Sequence, residues 1–225
     1  MRLNRYDLHS LTQYQSWNSE DDIYRFNVIS KYCFGSVLDV GCGLANLKNY
    51  IDKRKVHKYV GLDVYGDIDV HASTYDLPFK DGIFDTVVMS EVLEHLEYPV
   101  KALSEIKRVC NSRIILSVPN PYSIQQLYTI FVHKYSIECE NHITAFSDGE
   151  IKAICNRLEL IIERKVPLKV RDPFFGKRLP LETTLYSDVS VYLIEKNESS
   201  SEKPSKPSAD GTAGGHRLDR LSRSI

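Results

Sequence analysis

The chain has 225 residues, 42% of them hydrophobic, and a formal net charge of −1. That is enough for one domain of ordinary size with a sizeable core, and a near-neutral balance gives no global field to draw in nucleic acid or an anionic membrane. Its five cysteines form no CxxC pair, which fits reduced thiols in a cytoplasmic protein better than a disulfide framework.

Residues 1–19 are polar with scattered aromatics (Tyr6, Tyr14, Trp17) and read as an arm, either packed on the surface or lying over a ligand. No apolar leader is visible there and no run reaches bilayer length, so a cytoplasmic location is expected. From Glu20 to Cys33 the residues Ile23, Phe26, Val28 and Ile29 mark an amphipathic helix, capped at Ser19 and closed by Gly35. Ser36–Gly41 reads as the first strand, and Asn46–Ile51 as the start of the first crossover helix. Lys58–Asp63 is the second strand and ends on an acid. A tight turn at 64–67 leads to a third strand at Ile68–Ala72, with room for only a reduced helix between the two. Leu77-Pro78-Phe79 packs a loop before the strongly apolar fourth strand, Phe84–Ser90. Pro99–Val109 places Val100, Leu103, Ile106 and Val109 on one helical face, with proline acceptable in the first turn. Arg113–Val118 is the fifth strand, stopped by Pro119-Asn120-Pro121.

Residues 119–146 break this alternation and are rich in aromatics: Tyr122, Tyr128, Phe131, Tyr135 and Phe146. Ser147-x-x-Glu150 then carries a capping-box pattern ahead of Ile151, Ile154 and Leu158. Leu160–Val166 is a sixth strand, 167–188 a second irregular stretch, and Val189–Glu195 a seventh strand that is a candidate antiparallel hairpin partner. The order predicts an α/β protein with a doubly wound, mostly parallel, seven-stranded sheet. Three segments are expected: an arm and helix at 1–34, the domain at 35–196 with insertions at 119–146 and 167–188, and a disordered tail at 197–225. The Ser-, Pro- and Gly-rich tail has too little apolar area to offset the entropy of ordering.

The chemistry concentrates where the first strand meets its glycines, Val37-Leu38-Asp39-Val40-Gly41-Cys42-Gly43-Leu44-Ala45. Strand, glycine turn and helix is how a parallel α/β domain builds a nucleotide pocket at a strand's carboxyl end. An acid at the tip of the second strand, Asp63, is suited to accepting hydrogen bonds from both ribose hydroxyls. Asp39 lies before the glycines, where a carboxylate repels pyrophosphate and suits a cationic or hydroxyl-bearing ligand. Ala45 and Asn46 stand where the third glycine of a dinucleotide fingerprint would fall, which counts against a dinucleotide-dependent oxidoreductase.

Val37–Ala45, Val60–Asp63, Asp76–Phe79, Phe84–Ser90 and Glu91–Leu96, in that order, resemble class I S-adenosylmethionine-dependent methyltransferases, and among them the small-molecule branch related to quinone-biosynthesis enzymes. The resemblance covers roughly residues 35–165 and implies a Rossmann-like fold with S-adenosylmethionine as cofactor. It implies that Gly41 and Gly43 pass under the methionine part, with Asp39 near its ammonium group. Asp63 would bind the ribose hydroxyls, and Leu62 and Val64 would flank the adenine. Ala72 would supply backbone contacts. Ser73 stands where many members carry an Asp that accepts from the adenine amino group, and a neutral hydroxyl makes a weaker contact. Ser90 and Glu91 would face the methyl-donating centre.

The sulfonium is already activated, so the protein's work is to align a nucleophile and exclude water. A hydroxyl acceptor is helped by a general base, for which His95 and His142 are the candidates. Each has a plainer reading as a packing or loop-anchoring residue. His133, Cys139 and His142 lie close in sequence, but their spacing matches no usual zinc site, and no metal is expected. The function expected is methyl transfer to a small-molecule, lipid-linked or saccharide acceptor, with oxygen favoured over carbon or nitrogen. The alternative is a non-catalytic binding or regulatory relative. The Pro-Pro element of DNA-modifying relatives is missing after the fourth strand, and nucleic acid is not expected as a partner.

Overall fold

The computed structural model describes residues 20–133, 142–168 and 189–196. Helix α1 is Glu20–Ser30, and the seven strands are β1 Gly35–Val40, β2 Val56–Asp63, β3 Val70–His71, β4 Phe84–Ser90, β5 Cys110–Pro119, β6 Leu160–Pro167 and β7 Val189–Lys196. Helices α2 (Pro99–Val109), α3 (Ile124–His133) and α4 (Asp148–Arg157) complete it. The strands form one sheet in the order β3-β2-β1-β4-β5-β7-β6. β3, β2, β1, β4 and β5 run parallel, and β7 is antiparallel to both β5 and β6. This is the Rossmann-like α/β architecture expected, with the last strand antiparallel, as its candidate hairpin role allowed. The order reverses between β1 and β4, and the crevice at such a switch point is where ligands bind in sheets of this kind.

Strand alternation divides the core into two layers. Leu38, Val40, Leu62, Met89, Ile114 and Leu116 face one side, with Leu103 and Ile106 of α2 and Ile151 of α4. Val37, Val88, Ile115 and Val191 face the other, with Phe26 and Ile29 of α1. Leu103, Ile106 and Val109 are fully buried, and each contributes about 1.5–3 kcal/mol by leaving water. Because Asp39 shares a face with Val37, its side chain lies in the layer that α1 covers.

Three expectations are corrected. The first crossover helix is only a four-residue 3-10 turn, Asn46–Asn49, entered through Ala45 at φ 54. Residues 41–45 are used up in turning, and Asp52 then caps its own turn by accepting from the Arg54 N–H at 3.0 Å, so little chain remains for helix before β2. Between β2 and β3 the chain makes bends rather than a reduced helix. α3 lies inside the stretch read as irregular. The tail at 197–225, the arm at 1–19 and most of the 167–188 insertion lie outside the described residues.

The capping box forms as written. Ser147 Oγ accepts from the Glu150 N–H at 3.3 Å, and Glu150 accepts from the Ser147 N–H at 2.7 Å. Ser147→Ala is expected to cost about 1 kcal/mol, read as a lower urea midpoint. An unchanged midpoint would mean that α4 is held by packing alone.

Candidate active site at the carboxyl ends of β1, β2 and β4

Gly41 leaves β1 at φ +71, and a Cβ there would meet Val92 Cγ2 at 2.4 Å. Only glycine fits both the left-handed backbone and the space. The Gly41 and Cys42 N–H groups donate to the Leu62 carbonyl at 2.8 and 3.1 Å, so the loop stays bound to β2. Gly43 N–H then donates to Asp63 Oδ2 at 2.9 Å, while Asp63 Oδ1 accepts from the Val64 N–H at 2.6 Å. Asp63 therefore ties the glycine loop to the tip of β2. Oδ1 also accepts from the Tyr65 N–H at 3.4 Å, so Oδ2 is the oxygen that keeps a lone pair for a ligand hydroxyl.

Asp39 and Asp63 are both buried and close enough for the charge of one to act on the other. Asp39 accepts from the Tyr59 hydroxyl at 2.5 Å. Burial pushes the Asp39 carboxyl up to about 6, the Tyr59 hydrogen bond opposes this, and the Asp63 charge adds to it. A buried acid with this poise favours a cation beside it.

At the tip of β4, Glu91 adopts φ 56. Its carboxylate accepts from Ser117 Oγ at 2.8 Å, and Ser117 shares a 2.9 Å hydrogen bond with Ser90. Arg25 of α1 approaches Glu91 at 3.8 Å and Asp22 at 2.8 Å. Burial raises the Glu91 carboxyl, and the Arg25 charge pulls it back. Arg25 is itself buried, and its Nε has no hydrogen-bond partner among the described residues. Neither Arg25 nor Tyr59 is foreseen from the sequence. The available signal is a cation beside Phe26, Val28 and Ile29 on the apolar side of α1.

Leu62 is corrected: its side chain is 0% exposed within the core, so only its backbone serves the loop. Val64 is exposed just beyond. Ala72 N–H donates to the Asp63 carbonyl at 3.1 Å, and exposed Ser73 accepts from the Tyr75 N–H at 3.2 Å, which orients the loop after β3.

His95 and His142 come together with their ring centroids 4.8 Å apart. Burial, with His95 beside it, pulls His142 down to about 4. It is thus an uncharged imidazole at neutral pH and a poor general base there.

Residues 38–116, which hold nearly all of this site, match the family model of a methyltransferase domain. Over this stretch the chain is similar to a methyltransferase domain. An uncharacterized protein of Methanocaldococcus jannaschii is 34% identical over 96 residues, 39% of this chain, and the chain spans 42% of that relative's length. Among solved structures, a SAM-dependent methyltransferase of Thermotoga maritima superposes with a TM-score of 0.61 at 17% identity, covering 83% of this chain and 96% of that one. Magnesium protoporphyrin IX methyltransferase of Synechocystis, solved with bound SAH, superposes at 0.53 with 16% identity, covering 88% and 90%. At these identities the two structures establish the fold of the methyltransferase domain. S-adenosylmethionine is the cofactor that goes with such a domain, and the residues here fit it: two acids for an ammonium group and ribose hydroxyls, around a glycine bend that a Cβ would fill. Among the described residues no helix is long and apolar enough to cross a membrane.

Proposed function

We propose that this protein transfers a methyl group from S-adenosylmethionine to a small-molecule, lipid-linked or saccharide acceptor, with oxygen as the atom methylated. The observation that carries the reading is the convergence of Asp39 and Asp63 on the glycine loop, with Gly43 N–H held on Asp63. In this reading Asp39 faces the cofactor's ammonium group, and Arg25 faces its carboxylate. Asp63 receives the ribose hydroxyls, with Val64 and Ser73 toward the adenine. S-adenosylmethionine supplies an activated methyl group, and the chain's residues hold it in line and keep water out. Support for an apolar or lipid-linked acceptor comes from α3, where Leu127, Tyr128 and Phe131 are exposed, Phe131 at 84%. Packed helix faces do not normally leave such a patch in water.

Calorimetry with S-adenosylmethionine and with its demethylated product tests the cofactor site. Both are expected to bind, and Asp63→Ala is expected to weaken them about 10- to 100-fold, the worth of one or two hydrogen bonds to a charged group. If neither binds at about millimolar concentration, the enzyme reading ends and a non-catalytic relative stands in its place.

A further inference from the structure

The segment after β4 carries a cluster that the cofactor does not need. Glu94 and His95 end a short 3-10 turn, Leu93–His95. The chain beyond α3 returns to this turn and is fastened to it: the Ile143 and Thr144 N–H groups both donate to the Glu94 carbonyl, at 2.9 and 3.1 Å. That pair of hydrogen bonds sets His142 beside Glu94 and His95. His95 Nε2 lies 3.9 Å from Glu94 Oε1, and one donor atom from each of the three residues lies within 4.8 Å of the others. Glu94 is 1% exposed, whereas the His95 side chain is 39% exposed, so the cluster has a buried floor and an open side.

We propose that Glu94, His95 and His142 bind a divalent transition-metal ion at the acceptor side of the methyl-transfer site. One carboxylate and two imidazoles suit Mn²⁺, Fe²⁺, Co²⁺ or Zn²⁺ rather than Mg²⁺ or Ca²⁺, which prefer all-oxygen surroundings. Donors at about 2.1 Å from an ion sit closer together than these do, by up to roughly 1.5 Å, a movement that side-chain rotation supplies. Three protein ligands leave positions open for a substrate oxygen, the arrangement of catalytic rather than structural sites. The site is joined to the glycine loop through Val92, which touches Gly41 on one side and precedes the turn on the other. His142's sequence neighbours, His133 and Cys139, play no part. Glu94 and His95 come instead from the turn after β4, so the proposal departs from the expectation of no metal.

The ion's role rests on the methyl-transfer reading, but its binding does not. Coordinated to the ion, an acceptor hydroxyl gives up its proton to solvent more readily. Its oxygen then bonds to the methyl carbon as the carbon–sulfur bond breaks, leaving the methyl ether, a neutral thioether and one proton.

The test is titration of the full chain with Co²⁺ alone, followed by visible absorbance and by calorimetry. Saturable binding of one ion is expected, weakened at least about tenfold by His142→Ala and by Glu94→Gln, and unchanged by His57→Gln at an exposed position near the start of β2. His142 lies in a partly exposed segment, so its variant keeps the test valid if Glu94→Gln does not fold. No saturable binding by the wild type, or equal binding by His142→Ala, overturns the site. Calorimetry with S-adenosylmethionine in metal-free buffer reports separately on the cofactor site, so failure of one is not mistaken for failure of the other.

Discussion

Gly41→Ala is expected to destabilise the protein by about 2–4 kcal/mol and to abolish measurable cofactor binding. Two costs add. A left-handed backbone at φ +71 strains any residue with a Cβ, and that Cβ would stand 2.4 Å from Val92 Cγ2. Val92 is β-branched and has little rotamer freedom to yield. Pushing it shifts the turn that bears Glu94 and His95, so the damage reaches both halves of the site. Gly82 is the control: it also has positive φ, +62, but its nearest neighbour is 4.0 Å away. Gly82→Ala is expected to show the backbone cost alone, about 1 kcal/mol. Urea unfolding of both variants, with calorimetry on Gly41→Ala, measures the difference. Equal losses would show that Val92 gives way freely and that the loop is looser than its contacts imply.

The parts of this site that were legible in the sequence are those encoded in contiguous chain. Val37–Gly43 announces a buried strand, an acid and a glycine bend within one stretch, while the apolar run of β4 and the helical periodicity of α2 are strong enough to fix their bounds. Asp63 was legible because it ends a strand at the expected distance from the glycines. Tyr59 and Arg25 were not: Tyr59 reaches Asp39 through the β1–β2 register, and Arg25 meets Glu91 because α1 covers that face of the sheet. That is settled by the whole core and by no local pattern. The crossover helix after β1 failed for a local reason: Ala45 sits at φ 54, a conformation that nothing in an alanine announces. α3 is the opposite case. Ile124, Leu127, Tyr128 and Phe131 have helical spacing, but the last three are the exposed ones, so a stripe that elsewhere marks a core marks here an unburied surface. His95 and His142 were each named as a base, yet their contact depends on two backbone hydrogen bonds to the Glu94 carbonyl.

Asp39→Asn is expected to stabilise the cofactor-free protein at alkaline pH while weakening S-adenosylmethionine binding by more than about tenfold. The native carboxyl lies near 6 against an ordinary 3.8. Below the ordinary value both folded and unfolded states hold the proton, and the group costs nothing. As pH rises from there to about 6, the unfolded chain releases its proton first, so the folded state loses stability across that window. Above it the penalty is complete, at most about 3 kcal/mol. Asparagine removes the charge and keeps an acceptor for the Tyr59 hydroxyl, but its amide protons need partners of their own, so a net gain of about 1–2 kcal/mol is expected at pH near 8 and none near 4. The cofactor's ammonium group does the reverse: it stabilises the ionised carboxylate, so wild-type affinity should rise with pH through the same window. Urea midpoints at the two pH values and calorimetry across them decide it. A variant that is less stable than wild type at both, or that binds the cofactor as tightly, would show that Asp39 serves the fold through Tyr59 and does not face the ligand.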